Sequence, residues 1–232
     1  MPARYLIKQY TPNGYYHLFN RGVEKRVIFQ DEQDYAVFLN YLKEYLLPKN
    51  IADLTKQLSN PKECWAKKDK ILKLLRLNNF NKEIFLLAYC LMPNHFHFFI
   101  KQKNSNSIDK FMQSLCTRYT MYFNKKYKRV GSLFQGTYKA VLVATEPQFL
   151  HLSRYVHQQA LNLQGVTLQN CNFKSQPCSY LEYLGKRKTE WIKPEEILNF
   201  FSKTNPSLTY QSFVSDNNEE SDLLIKEIII ED

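Results

Sequence analysis

Two histidines one residue apart, His95 and His97, lie in the run Ala88-Tyr-Cys-Leu-Met-Pro-Asn-His-Phe-His-Phe-Phe-Ile-Lys101. From Ile84 to Lys101 the residues are almost all apolar, broken only by Pro93-Asn94, which predicts two strands, Ile84 to Met92 and His95 to Lys101, joined by a tight turn. Side chains alternate along a strand, so His95 and His97 share one face while Phe96, Phe98 and Ile100 share the other. The apolar face can pack on a core and leave the imidazoles side by side. Two neutral imidazoles so placed suit a divalent metal if a further oxygen or nitrogen donor arrives from elsewhere. They are two ligands short of a structural zinc site.

A second pair is Tyr155 and Gln159, four apart on a predicted helix and hence neighbours on one face. Beside a metal, a phenol can attack a phosphodiester while the metal stabilises charge on the phosphorus oxygens, and an amide oxygen can complete the ligand set. A free phenol has a pKa near 10 and needs help to become a nucleophile. Spacing alone does not single out Tyr155 from Tyr119, Tyr122, Tyr127 or Tyr138.

The elements that must position these residues are legible in outline. Tyr15 to Arg21 alternates and reads as a first strand, stopped by Gly22. Asp31 caps a helix through about Leu47, which Pro48 ends. Residues 49–82 shift to Lys, Leu and Asn and read as an inserted basic arm, helical over Lys67 to Leu77. After the histidine strands, Ser107 is the expected cap of a long helix to Lys126, with an apolar stripe from Ile108 to Phe123. Tyr138 to Ala144 reads as a strand and Glu146 to about Ala160 as a helix. The order β-α-(insert)-β-β-α-β-α predicts an α+β fold, a ferredoxin-like antiparallel sheet with helices packed on one face. Residues 1–165 are expected to form the catalytic domain and 166–232 a C-terminal helical extension, with a small helix near Pro194 to Phe201 and a packing helix over Leu223 to Ile230.

The chain has 232 residues, 32 Lys and Arg against 22 Asp and Glu, and a formal charge of +10, which favours a polyanionic partner. Sixteen Tyr and sixteen Phe among these cations suit single-stranded nucleic acid, whose bases stack on rings, although most of the Phe residues belong to the core. Five scattered Cys without a Cys-x-x-Cys pair match a reduced, cytoplasmic setting. No apolar run approaches a membrane span, so no membrane partner is expected.

Tyr16-His-Leu-Phe-Asn-Arg-Gly-Val-Glu-Lys25, Leu91-Met-Pro-Asn-His-Phe-His97, Gly131-Ser-Leu-Phe-Gln-Gly136 and Leu152-Ser-Arg-Tyr-Val-His157 resemble, in that order, segments of the single-tyrosine HUH transposases, in particular the REP-associated branch. The resemblance spans roughly residues 15 to 165. It implies a metal-dependent nickase and strand transferase acting on single-stranded DNA with a foldback hairpin, as a monomer or homodimer. It further implies His95, His97 and Gln159 as ligands of Mg2+ or Mn2+, Tyr155 as nucleophile and a 5′-phosphotyrosine intermediate. Arg21, Lys25, Arg118, Lys125, Lys126, Arg129 and Arg154 are the expected DNA contacts. Relatives commonly read Asn-Pro where this chain has Gln159-Ala160. The alternative is a catalytically degenerate or domesticated regulator that binds DNA or RNA hairpins. Nucleotide hydrolases with a His-φ-His-φ-His run fit poorly, because Phe99 stands where the third histidine would be.

Overall fold

The computed structural model of the protein describes residues 8, 10–161, 177–216, 225, 226, 228 and 229. Strands β1 (Tyr15–Arg21), β2 (Ile84–Met92), β3 (His95–Gln102) and β4 (Lys139–Val143) form one antiparallel sheet in the order β2-β3-β1-β4. This is the expected ferredoxin-like arrangement, with β1 and β3 at its centre. The turn at Pro93 and Asn94 is tied down by backbone bonds: the Pro93 carbonyl accepts from Ile28 and Phe29, and that of Asn94 from Gly22.

Helices α1 (Glu32–Leu46) and α4 (Ser107–Lys126) pack on one face, against Leu18, Phe96, Phe98 and Ile100. Asp31 caps α1 by accepting the Asp34 amide, as the sequence predicts. The cap of α4 is Asn106 rather than Ser107, whose hydroxyl donates to Glu83. The wholly buried Phe38, Phe98 and Phe111 are each worth about 1.5–3 kcal/mol of transfer free energy, so this core fixes the histidine strand by its apolar side.

Helix α5 (Glu146–Leu161) covers the opposite face of the sheet, over Phe19, Ala88, Phe99 and Val141. Strand β2 changes register between Leu86 and Ala88, which turns Ala88, Cys90 and Met92 toward α5. Three short helices, α6 (Tyr180–Tyr183), α7 (Glu195–Leu198) and α8 (Tyr210–Ser215), join the same cluster through Tyr180, Tyr183, Ile197 and Tyr210. The expected domain boundary at 165 and half of the helix expected over 223–230 lie outside the described residues. Ile225 and Ile228 are buried in the α5 cluster.

The insert between α1 and β2 contains two helices, α2 (Ile51–Leu58) and α3 (Trp65–Arg76), of which the sequence pattern revealed only the second. They pack on each other and bury little, Ile71 being the fully enclosed residue on either helix. Trp65, at the start of α3, is 81 % exposed.

Candidate active site

The register of the sheet builds the site row by row. On the α5 side, Arg21 lies opposite His95, Phe19 lies between His97 and Lys139, and His17 lies opposite Phe99. The His95 and His97 rings meet edge to face with centroids 4.9 Å apart. Tyr155 descends from α5 onto this row, its ring 5.4 Å from that of His97 and 6.0 Å from that of His17. The nucleophile candidate and the histidine pair, 58 residues apart in sequence, are therefore brought together. Tyr155 is 9 % exposed and His97 5 %. Phe149, earlier on α5, packs on Phe99, so the helix runs along β3 from Phe99 to His97. Gln159, half-buried one turn beyond Tyr155, is carried onward toward the His95 end.

The tautomers of both histidines follow from their partners. His95 Nδ1 lies 2.6 Å from Asn94 Oδ1, an acceptor only, so Nδ1 carries the proton and Nε2 is bare. The amide orientation is set by Asn94 Nδ2, which donates to the Lys25 carbonyl. His97 Nδ1 lies 2.9 Å from His17 Nε2, and His17 Nδ1 lies 2.7 Å from the Ile228 carbonyl. Burial pushes His95 and His17 down to about 4, helped at His95 by the charge of Arg21. His97 is held well below the ordinary histidine value by burial, then by the charges of His17, His95 and Arg21. All three imidazoles are neutral at pH 7, the state a metal ligand requires.

His97 Nε2 is buried without a hydrogen-bond partner. An orphaned, bare imidazole nitrogen beside a second bare Nε2 fits a divalent ion. Among the described residues no group of three or more His, Cys, Asp and Glu could hold a metal. The donor set is therefore two imidazoles, with the remaining positions open to an amide oxygen such as that of Gln159, to water or to substrate oxygens.

The expected DNA contacts divide by position. Arg21 belongs to the site row, and Lys25 and Lys125 are exposed. Arg118, Lys125 and Lys126 lie on α4, across the sheet from the histidines. Arg118 pairs with Glu44 at 2.6 Å and stacks on Tyr41, and Lys126 is held at 2.7 Å by both Asp31 and Asp34. Arg129 donates to Asn124 at the start of the loop that returns to β1. Arg154, expected at the DNA, is instead 3 % exposed, stacked on Phe213 and bonded to the Asp216 carbonyl.

Sequence reasoning missed His17, Lys139 and the polar cluster behind Tyr155. There His157 meets Tyr210 Oη at 2.7 Å and Ser179 Oγ at 2.8 Å. His17 was visible only as the second residue of the Tyr-His-Leu-Phe-Asn-Arg segment. Across the insert, the 34 residues from 49 to 82 hold nine Lys or Arg against three Asp or Glu, six of the ten net positive charges.

The model of a transposase family described as IS200-like matches residues 62–159, a segment holding His95, His97, Tyr155 and Gln159. Over that segment the chain is similar to the IS200-like transposases. No curated protein matches it. Among solved structures, a REP-associated tyrosine transposase bound to a REP hairpin aligns over 88 % of this chain and 94 % of its own at 9 % identity and a TM-score of 0.45. A proposed transposase from Deinococcus radiodurans R1 aligns over 68 % of this chain and 97 % of its own at 15 % identity and a TM-score of 0.32. Among the described residues no helix is long and apolar enough to cross a membrane.

Proposed function

We propose that the protein is a metal-dependent nickase and strand transferase for single-stranded DNA that folds into hairpins, with Tyr155 as its nucleophile, acting in the cytoplasm. The observation that carries this reading is the Tyr155 ring set against His97, beside two imidazoles whose Nε2 atoms are bare. The IS200-like match over the same residues supports it.

Tyr155 Oη attacks the phosphorus, its proton leaving as the oxygen–phosphorus bond forms. The bond from phosphorus to the 3′ oxygen breaks, and that oxygen takes up a proton to become a free 3′-hydroxyl. The product is a 5′-phosphotyrosine that keeps the phosphodiester energy, so a new 3′-hydroxyl can reverse the step and join a different end. Arg21 and Lys139, on the same sheet face, offset the charge of the phosphate. Mg2+ or Mn2+ held by His95, His97 and Gln159 would polarise the phosphodiester. Tyr155, 9 % exposed and packed against the sheet histidines, is shielded from water, which would otherwise hydrolyse the intermediate.

The test is a denaturing gel with a labelled single-stranded hairpin taken from the DNA flanking the gene, with Mn2+ or with chelator. A metal-dependent, protease-sensitive adduct formed by wild type and absent from Tyr155→Phe supports the assignment. Tight binding of several such hairpins without any adduct would favour the second reading, a hairpin-binding regulator that has lost its chemistry.

A further inference from the structure

We infer that His17 is a positioning residue of this site, holding His97 as the Nδ1–H tautomer so that its Nε2 lone pair faces the metal position. The inference rests on the reading of His97 as a ligand and adds to it a group that touches neither metal nor substrate.

The argument begins at the far end of a relay. The Ile228 carbonyl can only accept, so His17 Nδ1, 2.7 Å away, must donate to it. A neutral His17 then has no proton on Nε2, and the 2.9 Å contact to His97 Nδ1 closes only if His97 donates. His97 Nε2 is thereby left bare, the same atom that is buried without a partner. The reverse arrangement would need protons on both nitrogens of His17, an imidazolium sealed from water, and burial opposes that charge. Stacking fixes the geometry further: the His17 ring lies 5.1 Å from that of His97 at an interplanar angle of 17° and 4.8 Å from that of Phe19. His95 is oriented separately by Asn94. The two ligands thus have different supports, a side-chain amide next in sequence for one and a relay spanning 211 residues for the other. Groups behind metal-bound histidines generally fix ring and tautomer, and their loss typically costs about 10- to 100-fold in metal affinity.

The experiment uses the full chain labelled with 15N-histidine and freed of metal by chelation. Two-bond proton–nitrogen spectra identify which ring nitrogen of His97 carries hydrogen, and calorimetry measures Mn2+ binding. Wild type should show His97 protonated at Nδ1. His17→Phe keeps the ring and removes the acceptor, so His97 should lose that preference and the Mn2+ dissociation constant should rise about 10- to 100-fold. His17→Gln can still accept from His97 and donate to the Ile228 carbonyl, and should restore both readouts. Wild-type His97 protonated at Nε2, with Mn2+ still bound, would overturn the relay and leave the metal reading standing. Unchanged Mn2+ affinity in folded His17→Phe would overturn it equally. If that variant does not fold, the wild-type tautomer and the affinity of His17→Gln decide the matter. The expected tautomer in a wild type that binds no Mn2+ would overturn the metal reading and this inference together.

Discussion

The metal-free protein should lose stability steeply between pH 6.5 and 5. His17, His97 and His157 are buried within the fold and His95 is half-buried, with burial pushing His17 and His95 to about 4 and His157 to about 3 and holding His97 well below the ordinary value. The sign follows from proton counts. Below about pH 6.5 the unfolded chain takes up protons on these imidazoles while the folded chain does not, so the unfolded state gains free energy as pH falls. The loss begins near the unfolded pKa and continues until pH passes the folded values. Taking 6.5 for the unfolded chain, each imidazole costs about 1.9 kcal/mol between pH 7 and pH 5, and the four together about 7 kcal/mol. That is comparable with the whole stability of a typical domain, about 5–15 kcal/mol. Urea unfolding followed by circular dichroism at pH 7, 6 and 5, in chelator and at constant ionic strength, measures it. A folded His157→Gln variant should retain about three-quarters of the wild-type pH dependence. A wild-type loss below about 2 kcal/mol over that range would show that the imidazoles protonate inside the folded protein, and the account of a sealed, neutral site would fail.

Four further outcomes are expected. Tyr155→Phe should abolish the covalent adduct while leaving hairpin affinity within a few-fold, read by gel and by fluorescence anisotropy; an intact adduct would move the nucleophile to another tyrosine. His95→Ala should weaken Mn2+ binding and stop cleavage at the wild type's metal concentration, and persistent cleavage would remove it from the ligand set. Two imidazole donors favour Mn2+ over Mg2+, so wild type should need less Mn2+ than Mg2+ for half-maximal cleavage; the reverse order would point to an all-oxygen site. Replacing exposed Lys62, Lys70 and Arg76 of the arm with Glu should flatten the salt dependence of single-strand binding by about 0.7 in slope for each phosphate the arm no longer neutralises, whereas an unchanged slope would make the arm a bystander.

The histidine hairpin was legible because its signal is local: a period-2 pattern on each side of a Pro-Asn turn fixes which residues share a face. The long helices showed themselves through stripes and, for α1, through the Asp31 cap. Helix α2 was hidden because it is short: Ile51, Leu54 and Leu58 recur at helical spacing, but eight residues are fewer than the window over which such a period stands out from its Lys- and Asn-rich surroundings. His17 was hidden for a different reason. Alternation gives its face within β1, but only the pairing of β1 with β3 puts that face beside His97, and no local pattern encodes a pairing across 80 residues. Arg154 shows the limit of proximity in sequence. It adjoins Tyr155, yet neighbouring helix residues point about 100° apart, and this turn carries it under α8 rather than toward the site. Tyr155 itself was distinguished from its rivals by the resemblance, not by its spacing, and its packing on His97 is a property of the folded chain.

The two edges of the sheet are unlike each other. Outside β2, the Leu91 amide bonds to the Pro177 carbonyl, the Ser179 amide to Tyr89, the Ser179 hydroxyl accepts the Tyr89 amide, and the Lys193 amide bonds to Leu86. The C-terminal chain thus occupies the hydrogen-bonding groups along which another strand would add. At the opposite edge, β4 is five residues long and pairs with β1 alone among the described strands. Any continuous sheet built across two copies of this chain would have to run through β4, and its join would lie beside Lys139, on the same row as His97. Self-association by strand addition and occupation of the candidate active site are therefore geometrically neighbouring events on one side of the molecule, while the β2 side is closed to growth.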